Sequence, residues 1–271
     1  MTHIIRRLSL CLACAALLCA AGLQGNFAQT NKPAEAAPKH RVVLLNELTI
    51  KPGMLNEFLE WAKKDALPLF VKAGIKESYS FTHIYGGDRA VVIMAEVHDS
   101  FAAIKARNEA FNKNNSLEAL AAFNTQANKY VAEWHMYVAE TLPELSWRNP
   151  KRTAPPRYFV SVRRTVDPFR GPDYESYLKN EYLPLVKKTD ASLAVSRVRF
   201  GSDANEYRFL WALDDLADLD QGNAVTRLVG AETLHKQQQK ALAGIVLHTE
   251  TKVLRLREDI SIIPGQATAA K

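Results

Sequence analysis

Two short strand-like segments concentrate the residue types that do chemistry. Residues 132–140 read AEWHMYVAE, and residues 244–250 read GIVLHTE. Side chains of an extended chain alternate between faces. Glu133 and His135 therefore share a face in the first segment, and His248 and Glu250 share one in the second. Other candidates lie on further strand-like runs: Asn46 and Glu47 in VVLLNELTI, His83 in ESYSFTHIY, Arg163 in RYFVSVRRTV, and Arg199 in SLAVSRVRF. An imidazole near a carboxylate suits proton transfer near neutral pH, so His83 and His135 are catalytic candidates. Glu47, Glu133, Arg163, Arg199, His248 and Glu250 are the ligand-binding candidates. Three chemistries fit them. Buried charges can pair across an interface, as Glu47 with Arg163, because an unpaired buried charge costs several kcal/mol. They can instead line a pocket for an anionic or aromatic metabolite. Two His and two Glu are also a ligand set for a divalent metal, but alternation alone does not converge them, and no metal or cofactor is expected.

The remaining chain narrows the function class. No hydrolase elbow, P-loop, Rossmann glycine pattern or HExxH occurs. Arg6 and Arg7 precede the apolar run LSLCLACAALLCAA, which has the order and size of a secretory signal. The expected organisation begins with a signal peptide over 1–28, cut near Ala28, and a flexible segment over 29–40. Cys11, Cys14 and Cys19 all lie inside the signal, so the exported chain would have no thiolate or disulfide chemistry. The formal charge of +6 drops to about +4 once Arg6 and Arg7 are removed. That charge is scattered, which argues against a nucleic-acid partner. No later run is long and apolar enough to span a bilayer.

These residues are positioned by a unit written twice. DALPLFVKAG (65–74) returns as EYLPLVKKTD (181–190), 116 residues later. At that offset Phe58 meets Tyr174, Trp61 meets Tyr177, and Pro68 meets Pro184. It also places Arg199 opposite His83, while a one-residue slip places Glu133 against His248 and His135 against Glu250. Each copy reads as strand, proline-containing amphipathic helix, β-hairpin, helical region, strand. The first copy predicts a helix over 54–73, a hairpin turning at GGD (86–88), and a helical region broken near Asn114–Asn115. The prolines fall off the apolar stripes and predict a bend that follows the sheet. The order βαββαβ is the ferredoxin-like split unit, over 41–142 and 157–261, with a linker at 143–156 and a tail at 262–271. VVLLN and VVIMA are apolar on both faces, so each sheet buries its second face too. The other copy is the expected cover, which gives an α+β fold of two tandem units packed sheet to sheet. A monomer with an internal pseudo-dimer follows.

This pattern resembles the dimeric α/β-barrel superfamily. LNELTIKPGMLNEFLEWAK is most similar to its NIPSNAP-like and antibiotic-biosynthesis-monooxygenase-like branches, which open with a strand, a Lys-Pro-Gly turn and an aromatic-bearing helix. The superfamily includes cofactor-free monooxygenases, haem-degrading enzymes, haem peroxidases and proteins without known activity. Its haem-degrading branch uses an Asn on the first strand, a Trp near the end of the third and a His on the second helix. Asn46 matches the first position and joins the catalytic candidates only through this resemblance, but Glu96-Val97-His98 stands at the second and copy one lacks the helical histidine. Copy two has His235 but carries Val162 in place of the Asn. The expected function is therefore an exported small-molecule-binding or stress-related protein. The alternatives are a cofactor-independent monooxygenase or oxidoreductase on an aromatic or quinone-like substrate, and a protein-interaction module.

Overall fold

The computed structural model describes residues 39–152, 156–202 and 205–265. The expected signal over 1–28, residues 29–38 of the flexible segment and residues 266–271 of the tail lie outside the described residues. The first copy comprises β1 (Val42–Ile50), α1 (Leu55–Trp61), α2 (Leu67–Lys72), β2 (Ser78–Tyr85), β3 (Val91–His98), α3 (Phe101–Asn114), α4 (Leu117–Tyr130) and β4 (Val131–Thr141). The second comprises β5 (Tyr158–Val166), α5 (Gly171–Tyr177), α6 (Leu183–Val186), β6 (Leu193–Phe200), β7 (Asn205–Leu213), α7 (Ala224–Val229), α8 (Ala231–Leu242) and β8 (Val246–Leu256). The expected βαββαβ order is present in both. Ser100 and Ser116 cap α3 and α4 through hydrogen bonds to Ala103 and Ala119 N–H, the usual service of a serine at a helix start.

All strands are joined antiparallel in one closed barrel, β1-β3-β2-β8-β5-β7-β6-β4, with β4 returning to β1. The two sheets do more than face each other. The edge strands pair across copies, β2 with β8 and β4 with β6, which removes every free sheet edge. One face of each strand therefore points into the barrel and the other toward a helix. In β1, Leu48 and Ile50 pack outward on Phe58 and Leu59 of α1, while Leu45 points inward beside Phe81, Ala139 and Leu254. Phe81 meets Phe159 of the other copy edge to face at 5.4 Å. Copy two has the larger core between sheet and helices, in which Val166, Tyr174, Val186, Tyr207 and Val225 are fully buried. Copy one is looser, since α3 buries no residue and α4 buries only Tyr130.

The repeated proline phrase is more than a bend. In both copies a turn of π-helix, Ala62–Ala66 or Leu178–Tyr182, precedes the leucine-proline step. Leu67 N–H donates to Ala62 O, and Leu183 N–H to Leu178 O, each five residues back. A proline ring collides with the carbonyl four residues earlier. The wider turn relieves that collision without ending the rod.

Residues 261–263, at the start of the expected tail and just before it, pack against β2. Ile262 exchanges backbone hydrogen bonds of 2.8 and 2.9 Å with Ser78, and Ser80 N–H donates to Ser261 Oγ at 2.9 Å. Ser261 and Ile262 are buried, so this segment straps β2.

Candidate functional site

The barrel interior holds four of the nine candidates named from sequence: Glu47, His83, Arg163 and Glu250. Glu47 does not pair directly with Arg163. Arg208, on the strand beside Arg163, takes it at 2.8 Å and also holds Glu206 at 2.6 Å. Arg163 lies 3.3 Å from Glu250 and 3.8 Å from Glu206, and Lys252 lies 3.0 Å from Glu250. Arg163 and Arg208 sit directly opposite in register, a repulsive placement that the three carboxylates offset. The Arg208 guanidinium also stacks 4.5 Å from the Tyr137 ring. Burial works against the charge on Arg208, yet Glu47 and Glu206 raise its pKa above the ordinary value. Burial likewise disfavours charge on Glu250, but Lys252 and Arg163 hold its carboxyl below the usual range. The space left among these side chains is about 30 Å³, about enough for one water molecule.

His83 is buried in the same interior, with Nδ1 2.8 Å from Asp88 O. A carbonyl only accepts, so Nδ1 carries the proton and Nε2 is the bare nitrogen. Burial lowers the pKa of this imidazole.

His135 and Glu133 lie 3.7 Å apart with exposed side chains on β4, and His248 is exposed on β8. The Glu-x-His and His-x-Glu segments do not meet, because β4 and β8 lie on opposite sides of the strand ring. Their equivalence does hold: Glu47 pairs with His135 where Arg163 pairs with Glu250. Among the described residues, no group of three or more His, Cys, Asp or Glu could hold a metal ion. Arg199 is not the counterpart of His83. Phe81 pairs with Ile93 where Ser196 pairs with Arg208, so His83 matches Val198. A one-residue shift flips the face, and Arg199 points outward to Glu140 at 3.6 Å. Asn46 is buried on the outward face, where its Oδ1 accepts from Trp134 Nε1 at 2.9 Å. None of the described cavities includes Asn46 in its lining.

The sheet–helix layer of copy two holds a different candidate site. A chamber of about 190 Å³ lies between β5, β7 and the helices over them. Val162, Phe209, Trp211 and Leu234 form its apolar walls, and Arg164, Tyr182, Asn223, Thr226 and Gln238 are its polar groups. An outer cleft of about 730 Å³ shares Trp211 and Asn223 with it. Arg164 donates from one terminal nitrogen to Tyr174 Oη at 3.1 Å, and its guanidinium lies 5.5 Å from the Phe209 ring. Burial pushes Tyr182 up to about 12, and Tyr174 and Tyr177 rise by the same cause against the opposing charge of Arg164. All three phenols are therefore protonated at neutral pH. The sequence reading missed this site, although a signal was present. Consecutive arginines on a strand buried on both faces must place one charge on each side, so Arg163 inside implied Arg164 outside.

No family profile matches the sequence, and no curated protein sequence matches it. Solved structures do. A monooxygenase candidate from Lactobacillus acidophilus matches with a TM-score of 0.57 and 12% identity, over 84% of this chain and 98% of that one. A monooxygenase candidate from Fusobacterium nucleatum matches at 0.56 and 11%, over 86% and 99%. An anthrone oxidase-like protein matches at 0.57 and 11%, over 87% and 98%. At these identities the likeness is one of fold, and the strand order agrees with it. The chain is a dimeric α/β barrel of the ferredoxin-like type, with both halves in one polypeptide.

Proposed function

We propose that this chain binds a small planar molecule in the sheet–helix chamber of copy two. One observation supports the reading: a pocket in which an apolar wall of Val162, Phe209, Trp211 and Leu234 faces convergent polar groups, as ligand sites do, beside a barrel interior occupied by ion pairs. The cofactor-independent oxidoreductase reading draws on the monooxygenase and anthrone oxidase-like names of the structural neighbours. Binding fits the chamber better, because none of its lining side chains is a carboxylate or imidazole able to take a proton. Export through residues 1–28 and a monomeric mature chain belong to the same proposal; the denatured mass of the secreted protein tests the first and its native mass the second.

Tryptophan fluorescence tests the binding, since Trp211 lines the chamber. Hydroquinone and catechol are expected to quench it saturably, and the saturable component is expected to vanish in Trp211→Phe. Linear quenching, equal in both proteins, would mean that the chamber takes neither phenol and would count against the quinol-type ligand. Oxygen uptake with hydroquinone above the buffer rate would favour the oxidoreductase reading.

A further inference from the structure

We infer that Arg164 is an oxyanion anchor and that the ligand of the chamber is a single-ring aromatic carboxylate. This rests on the reading that the chamber binds a small molecule, and it adds the ligand's charge and size. The first observation is a missing counter-ion. Every other arginine among the described residues that is not solvent exposed has a carboxylate at 3.3 Å or closer. Arg164 has none. Its one side-chain bond is to the neutral Tyr174 hydroxyl. A partly buried guanidinium without a carboxylate is costly, and the fold itself does not require it. Copy one places Leu48 at the matching position, pairing with Val92 as Arg164 pairs with Tyr207.

The neighbouring phenols do not supply the missing charge. Tyr174, Tyr177 and Tyr182 are neutral hydroxyls at physiological pH, able to donate to an oxyanion or accept from the guanidinium. Arginine presents a planar fork that matches a carboxylate with two parallel hydrogen bonds. The rest of the cavity suits a ring, since Phe209 and Trp211 offer flat apolar surfaces. Its size sets the limit: about 190 Å³ is below the roughly 300 Å³ at which pockets for drug-sized ligands begin. A one-ring acid fits that space.

Isothermal titration of the full chain with sodium benzoate and with benzamide, its neutral isostere, at matched ionic strength tests the anchor. Benzoate is expected to bind at least about ten-fold tighter. That preference is expected to collapse in Arg164→Met, which keeps the stem but removes the charge, while benzamide binding stays within a few-fold. Equal affinities in the wild-type chain, or a benzoate preference that survives Arg164→Met, would overturn the anchor and leave the chamber reading standing. Failure of both probes to bind would remove the chamber reading, and the anchor with it. Should Arg164→Met not fold by circular dichroism, the wild-type ratio and Arg164→Lys decide. A lysine keeps charge but not the fork, so an intermediate preference is expected, and an unchanged one counts against the fork geometry.

Discussion

Charge inside this barrel is arranged as an alternating chain: Glu47, Arg208, Glu206, Arg163, Glu250, Lys252. Arg208 is its hub, since it alone bonds both Glu47 and Glu206. Removing one member of a buried network leaves charges without partners, which costs about 3–5 kcal/mol. Arg208→Met is expected to lose stability in that range by urea unfolding, whereas Arg199→Met on the outer face is expected to lose under about 1 kcal/mol. His83 adds a pH dependence with a definite sign. Its folded pKa lies below the ordinary 6.5, so the unfolded chain binds the proton more readily. The contribution is fully present above pH 6.5 and is lost as pH falls toward the folded value. The stability difference between wild type and His83→Gln is expected to shrink or reverse between pH 7.5 and 5.5. A constant difference would show that the imidazole is not held neutral.

At the scale of elements, the seams between copies depend on two hairpin glycines. Gly86 and Gly201 have φ of +74° and +92°, a region that other residues adopt only with strain. A Cβ on Gly86 would come within 2.6 Å of Thr251 O on β8, and one on Gly201 would meet Met136 O on β4 still closer. Each glycine therefore lets its hairpin cross the last strand of the other copy. Gly86→Ala and Gly201→Ala are each expected to cost more than about 1 kcal/mol, with chemical denaturation as the readout. Gly53→Ala is the control: it shares a positive φ but meets nothing within 4 Å, so its loss should be the conformational strain alone. The π-turns before Pro68 and Pro184 are legible as paired oddities in sequence, but the wider winding is not. It depends on which carbonyl the proline ring must avoid once both flanking turns are packed.

The whole molecule is a dimer made intramolecular. A half of it, such as residues 39–152, would keep β2 and β4 as unpaired edges and leave the inner sheet face bare. Light scattering is expected to find that fragment self-associated or unfolded, while residues 39–271 together run as a monomer. A monomeric, cooperatively folded fragment would show that the copies are independent domains. Alkaline conditions strain both layers, because Tyr79 inside the barrel and Tyr182 in copy two have pKa values raised to about 12 by burial. That stability is present below pH 10 and is lost as pH rises from there toward 12.

Residue order alone determined the duplicated βαββαβ plan and the need for a second covered face. Strands such as VVLLN and VVIMA, apolar on both sides, cannot belong to a sheet with one wet face. It also determined that charges on such strands would need partners. Which partners was decided only by the tertiary structure. Side chains alternate with a period of two, so the single residue that separates the β1–β5 offset from that of the hairpin strands sends Arg199 outward and leaves Val198 as the match for His83. Glu47 meets Arg208 from the other copy across the barrel, a pairing that no spacing along the chain encodes. The chamber around Arg164 exists because residues on β5, β7 and the helices over them converge on one point, and that convergence is a property of three-dimensional packing.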